Sequence, residues 1–202
     1  MSGTASPAGP GPGAGRREER GEWGPLHWDT VDSPVGRLLL VVSELGVVRI
    51  GLRTEDVDAV LGSLTATTGS VPIRSASRVG EAVDELHAYF DGARETFDVP
   101  VDLRLSTPFR ERVQRAMLRI GYGRTATYGR LARMAGASPG AARAVGGACS
   151  HNPVPIIVPC HRVLPQGGCV GNYRGGAEMK RWLLALERRH LDESARGSVL
   201  GG

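Results

Sequence analysis

The chain has 202 residues, 41% of them hydrophobic, and a formal net charge of +4. That suffices for one large or two small domains with a real core, and no apolar run approaches the length of a membrane span. The small net charge conceals a division. Residues 23–100 hold 6 arginines against 12 carboxylates, whereas residues 101–190 hold 15 cations against 4 carboxylates. An acidic module followed by a strongly basic one suggests that the second half meets a polyanion such as nucleic acid.

The first 22 residues, "MSGTASPAGPGPGAGRREERGE", are Gly/Pro/Ala-rich and then charge-mixed, without the apolar stretch of a secretory signal. They are expected to be a disordered leader. "GRLLLVV" (36–42) and "GVVRIGL" (46–52), separated by "SELG", read as an antiparallel hairpin. From Ser77, an expected N-cap, to Gly92, an expected stop, the apolar residues Val79, Val83, Leu86, Tyr89 and Phe90 recur at helical spacing. Residues 23–100 are therefore expected to form an α+β domain. His27 and His87 stand alone there and suggest no chemistry.

Thr107-Pro108 is an N-cap followed by proline at the first helical position. Phe109, Val113, Met117 and Ile120 then make one apolar face ending at Gly121. A second helix is expected over Tyr128–Met134, and a third over "AARAVGGACSHN" after the turn "AGASPG". Two short helices about a Gly-containing turn are a helix-turn-helix pattern. Residues 101–190 thus read as a mostly α-helical domain, closed by an amphipathic helix near 177–190. The stretch 191–202 is expected to be a flexible tail. The third helix has almost no side-chain bulk except Arg143 and Val145, which permits close approach either to a neighbouring helix or to a nucleic-acid groove. Its long cation is poorly explained by helix packing alone.

The chemistry concentrates in "VPCHRV" (158–163). Three cysteines, Cys149, Cys160 and Cys169, are an odd number without framework spacing, as expected in a reducing cytoplasm. Zinc is disfavoured, because no CxxC or HxxxH pair organises the cysteines and histidines. A nucleophilic role needs the thiolate, yet a free cysteine is only about 3% ionised at pH 7. His161, Arg162 and a nearby helix end are expected to lower the Cys160 pKa and so activate it. A buried inert thiol is the remaining alternative, although Pro159 and His161-Arg162 are unusual company for one. The electrophile stays open on these grounds.

"NPVPIIVPCHRV" (152–163), with "ATYGRLARMAG" and "AARAVGGA" before it and "VGNYRGG" and "KRWLLALE" after it, resembles the O6-alkylguanine-DNA alkyltransferase family. The likeness runs from about Thr107 to Glu187, and "SPVGRLLLVVSELGVVRIGL" (33–52) is more loosely similar to the start of the family's N-terminal domain. The resemblance implies irreversible transfer of an alkyl group from guanine O6 to Cys160, once per molecule. By matched position, His161 would deprotonate Cys160 through a bridging water and Glu187 would orient the imidazole. Asn152 would hold the active-site turn, and Tyr128 would donate to guanine N3. Residues 160 and 161 of an extended segment point opposite ways, so a turn or a water is needed for them to cooperate.

The resemblance further implies that the nucleotide flips out of double-stranded DNA and that the second helix of the helix-turn-helix enters the minor groove. Ala142, Ala144 and Gly146 would permit the close approach, and Arg143 would fill the gap left by the base. Tyr173 would wall the base pocket, and backbone groups at Cys160 and Val163 would accept from the guanine amino group. Arg174 and Cys149 stand where some relatives have a small residue and a methionine, which bears on bulky alkyl groups and on the apolar pocket wall. No cofactor, metal or membrane is expected. The partner is duplex DNA containing O6-alkylguanine, with the protein acting as a monomer in the cytoplasm. Rival classes are a lesion binder that needs no reactive thiol and a cysteine hydrolase that turns over.

Overall fold

In the computed structural model, residues 22–200 are described. The expected leader lies outside them except for Glu22, and so do the last two residues of the expected tail. Strand β1 (His27–Val31), β2 (Leu38–Ser43) and β3 (Gly46–Gly51) are antiparallel neighbours. The short β4 (Ile73–Arg74) runs parallel to β1, giving the order β3-β2-β1-β4. The expected hairpin is therefore β2–β3. At its turn, Gly46 has φ +128°, and a Cβ there would collide with the Pro100 carbonyl oxygen, so glycine is required.

"LLLVV" carries no polar alternation because the sheet is covered on both faces. Leu39, Val41 and Val48 face one way and pack with Leu26 and with Leu64 of helix α1 (Val57–Thr68). Leu38, Leu40, Val47 and Ile50 face the other way. Strand β2 follows the two-residue period, and in β3 a bulge opposite Val41 and Val42 breaks that period, so that Val47 and Ile50 share a face. That second face meets Val79, Leu86 and Tyr89 of α2 (Ala76–Phe90), then Val113 and Met117 of α3 (Pro108–Met117). One core thus continues from the N-terminal sheet domain into the helical C-terminal domain.

Ser75 occupies the N-cap position of α2 without a side-chain capping bond, correcting the expectation for Ser77, which lies inside the helix. Ser75 is still extended and its N–H donates to the Trp28 carbonyl, so the helix starts where β4 ends. Thr107 caps α3 as expected, accepting from the Arg110 N–H. Helix α4 (Tyr128–Met134) is capped by Thr127, and α5 (Ala142–Ser150) packs on both α3 and α4. The last helix, α6 (Gly176–Leu200), continues ten residues beyond the expected end at 190, so the segment read as a tail is helical as far as Leu200. Two-residue strands β5 (Ala126–Thr127) and β6 (Val163–Leu164) pair in parallel. This pairing sets the start of α4 beside the end of the "PCHR" segment. No helix among the described residues is long and apolar enough to cross a membrane.

Candidate active site

Residues 152–163 form an unbroken buried run whose path is dictated by its polar groups. The Asn152 carbonyl oxygen accepts from the Val154 N–H at 3.1 Å. Its amide nitrogen donates to the Val158 carbonyl at 2.7 Å and to Cys160 Sγ at 3.1 Å. Between these anchors Ile156 sits at φ +77°, a left-handed conformation that costs a β-branched residue ~1–3 kcal/mol. Pro159 (φ −82°, ψ 63°) makes an inverse γ-turn, closed by the Cys160 N–H on the Val158 carbonyl at 2.8 Å. A 3₁₀ turn over Cys160–Arg162 follows, which is the turn that the adjacent thiol and imidazole require.

Past this turn, Glu187 of α6 is fully buried and collects five donors. The Tyr89 hydroxyl and His161 Nε2 each lie 2.7 Å from Oε1. Arg162 grips both carboxylate oxygens at 3.0–3.1 Å, and the Gly123 N–H donates to Oε2 at 2.9 Å. Arg162 also donates to the Ile120 carbonyl at 2.6 Å. Burial alone would raise the Glu187 pKa, but the hydrogen bonds and charges of His161 and Arg162 prevail and hold it at about 2. An ionised carboxylate can only accept, so His161 Nε2 carries the proton. The second ring nitrogen, Nδ1, keeps its lone pair and has no protein partner. Burial also lowers the His161 pKa despite Glu187, which favours the neutral ring with Nδ1 as its acceptor nitrogen.

Cys160 corrects one expectation. Burial pushes its thiol above the ordinary value, opposed by the Asn152 hydrogen bond and the charges of Arg174 and Lys180. Arg162, expected to help ionise it, is committed to Glu187. Sequence reasoning missed Lys180 altogether. It is the only lysine in the chain, is 1% exposed, and donates to the Val163 carbonyl at 2.7 Å. Its position seven residues before Glu187 places both on one face of α6. Tyr89 was missed too, because its place on an apolar helical face marks it only as core.

Cys160 opens into a cleft of about 550 Å³. Tyr128, at the first position of α4, Gly146 and Cys149 of α5, and Asn152 border it on one side; Asn172, Tyr173 and Arg174 border it on the other. The Tyr173 hydroxyl is buried without a partner. Cys149 contacts Met117 Sδ at 3.9 Å, and burial pushes its thiol up to about 12, so it is a cleft wall and a poor nucleophile. Val163 is buried but does not border the cleft, and its carbonyl already accepts from Lys180.

Ala142, Arg143 and Ala144 lie away from the cleft on the outer part of α5, with Arg143 and Ala144 exposed. The glycines of α5 are not required by internal packing. A Cβ at Gly147 would meet nothing within 4 Å, and one at Gly146 only Tyr128 Cε1 at 3.9 Å. Arg124, Arg130, Arg133 and Arg143 are exposed, and their side chains have no hydrogen bond or ion pair among the described residues. In the sheet domain, by contrast, Arg37, Arg49, Arg74 and Arg94 are each paired with a carboxylate. Arg181, Arg188 and Arg189 of α6 are likewise exposed and unpaired, as is Arg78 in the sheet domain, so among the described residues most of the unpaired positive charge lies in the helical domain, α4 and α5 included. Among the described residues no group of three or more His, Cys, Asp or Glu could hold a metal ion.

A sheet domain joined to a helical domain, with one buried cysteine presented to a cleft beside a flat cationic helix, defines a class of two-domain proteins built around a single thiol. Residues 26–103 match the 6-O-methylguanine DNA methyltransferase ribonuclease-like domain, and residues 108–189 match the DNA binding domain of the same family. The chain belongs to the 6-O-methylguanine DNA methyltransferase family. The methylated-DNA–protein-cysteine methyltransferase of Mycobacterium tuberculosis (strain H37Rv) is 42% identical over 163 residues, covering 81% of this chain and 93% of that protein. The human protein of the same name is 38% identical over 183 residues, covering 85% of each. A crystal structure of Mycobacterium tuberculosis OGT in complex with DNA superposes with a TM-score of 0.71 at 41% identity, covering 81% of this chain and 94% of that one.

Proposed function

We propose that the protein repairs duplex DNA by moving the alkyl group of O6-alkylguanine onto Cys160, irreversibly and once per molecule. The observation that carries this reading is the Asn152–Cys160 hydrogen bond at the floor of a cleft whose other polar groups could grip a base. The Cys160 sulfur attacks the alkyl carbon, the bond from that carbon to O6 breaks, and its electron pair leaves with guanine. The thiol proton passes to His161 Nδ1; a bridging water carries it, because no direct hydrogen bond joins the two side chains. Tyr128 donates to guanine N3 as charge develops there, which is general-acid assistance to the leaving base. The product is a thioether, which offers no carbonyl for hydrolysis, so the thiol is not regenerated.

The cleft is reached by a base only after it leaves the stack, at a cost of a few kcal/mol. We read α4 and α5 as a helix-turn-helix that lays α5 in the minor groove, where small residues permit contact and readout of sequence is weak. Ala142, Ala144 and Gly146 make that surface, Arg143 takes the place of the flipped base, and Tyr173 flanks it. Residues 23–100 and 101–190 are the two domains of this reading, which needs neither cofactor nor metal.

Two variants test it. Cys160→Ala should retain binding to a lesion-containing duplex and lose transfer; residual methyl transfer in that variant would assign the acceptor elsewhere. Arg143→Ala should slow repair in duplex DNA by roughly tenfold or more, since the flipping cost is no longer offset, while its reaction with free O6-benzylguanine is little changed. Equal losses with both substrates would contradict the flipping role.

A further inference from the structure

The cleft wall that carries Tyr173 and Arg174 belongs to the connection between β6 and α6, which contains glycines at 167, 168, 171 and 175. Such a segment has little stiffness of its own, so its position depends on what it is tied to. Arg174 supplies the ties at both ends of its guanidinium. Nη2 donates to the Ser150 carbonyl at 2.6 Å, on the opposite wall of the cleft, and Nη1 lies 3.8 Å from Glu55 Oε1 in the sheet domain. The Thr54 hydroxyl donates to the Arg174 carbonyl at 3.4 Å. Glu55 is itself fixed, accepting from the Leu52 N–H at 3.0 Å and pairing with Arg49. Arg49 in turn donates to the carbonyl of Pro153, next to Asn152, at 3.2 Å. One carboxylate of the sheet domain is therefore linked to both sides of the reactive cleft.

We propose, building on the alkyl-transfer reading above, that Glu55 is a specificity-determining residue: acting through Arg174, it fixes the width of the cleft and so limits the size of alkyl group that reaches Cys160. The pair is about three-quarters shielded from water, with side-chain exposures of 20% for Glu55 and 28% for Arg174, so solvent screens it less than a surface pair. Glu55→Gln keeps the side-chain volume and an acceptor for the Leu52 N–H, and removes the charge that holds Arg174. The Arg174 guanidinium is then held by Ser150 alone, with only the long Thr54 bond left on its carbonyl, and the glycine-rich wall can move outward.

The test compares rates of alkyl transfer to Cys160 from duplex oligonucleotides containing O6-methylguanine or O6-benzylguanine, followed by peptide mapping. In Glu55→Gln the benzyl-to-methyl rate ratio should rise about fivefold or more, on the scale by which pocket shape discriminates ligands, with the methyl rate within about twofold of the parent. A purely structural role would lower both rates together and leave the ratio unchanged. Arg174→Ser, which also releases Ser150, should raise the ratio at least as much, and the double variant should match Arg174→Ser, because Glu55 acts only through Arg174. A ratio that stays within about twofold of the parent, or additive effects in the double variant, overturns the proposal. If the parent protein transfers neither group, the alkyl-transfer reading fails. Site-mapped labelling of Cys160 by iodoacetamide and the bulkier iodoacetanilide then decides the width question separately: the bulky-to-small ratio should again rise in Glu55→Gln, and an unchanged ratio would overturn it.

Discussion

Glu187→Ala should destabilise the protein by ~3–5 kcal/mol, the range for removing one partner of a buried ion pair. The carboxylate neutralises Arg162, which is 6% exposed, and satisfies Tyr89, His161 and the Gly123 N–H. Alanine leaves a buried guanidinium without its counter-charge and several donors without acceptors. A shift of the urea midpoint worth less than about 1 kcal/mol would mean that water or a rearranged partner replaces the carboxylate. The milder Glu187→Gln retains a similar volume but can donate as well as accept, so His161 Nε2 is no longer obliged to carry the proton. Transfer to Cys160 should then slow by roughly 100-fold, the lower range for losing general-base assistance.

The same network sets the acid response. Glu187 is held at about 2 against an ordinary 4.5, and burial keeps His161 below its ordinary 6.5. In both cases the unfolded chain takes up the proton more readily, so the stabilisation is complete above the unfolded values and is lost as pH falls. The loss should begin below 6.5 with His161 and steepen from 4.5 toward 2 with Glu187. In Glu187→Gln the steeper lower limb should disappear from the dependence of stability on pH.

Asn152→Asp is the second large effect. The amide nitrogen that now donates to Cys160 Sγ and to the Val158 carbonyl becomes an oxygen facing two acceptors. The negative charge also disfavours the thiolate beside it. Burial already pushes the Cys160 thiol up, and the Asn152 bond is the foremost influence opposing that rise. The pH–rate profile for Cys160 alkylation should therefore move upward by about one unit or more, with roughly tenfold less reaction at neutral pH. An unmoved profile would show that Asn152 shapes the backbone turn without tuning the sulfur.

Much of the scaffold is readable where local chemistry is strong. Thr107-Pro108 announces α3, and the boundaries of α4 match the tyrosine and methionine that end its pattern. Helix α1 escapes because "VDAVLGSLTATT" buries only Leu64 and so presents no apolar stripe. Strand β4 has two residues, both exposed, and its pairing with β1 rests on contacts distant in sequence. At the site, the need for a turn at Cys160–His161 follows from residue alternation alone. That Arg162 belongs to Glu187 and not to the thiol depends on how α6 crosses the turn, which no local pattern encodes. The same holds for Lys180 and Glu55, whose partners lie in other elements of the fold.

The most direct test is the intact mass of the protein after incubation with a duplex oligonucleotide containing one O6-methylguanine, followed by peptide mapping. The expected result is a gain of one methyl group, located on Cys160 and equal in amount to the guanine repaired. Tight binding to the lesion with no change in mass, or repair of many lesions by each protein molecule, would contradict it.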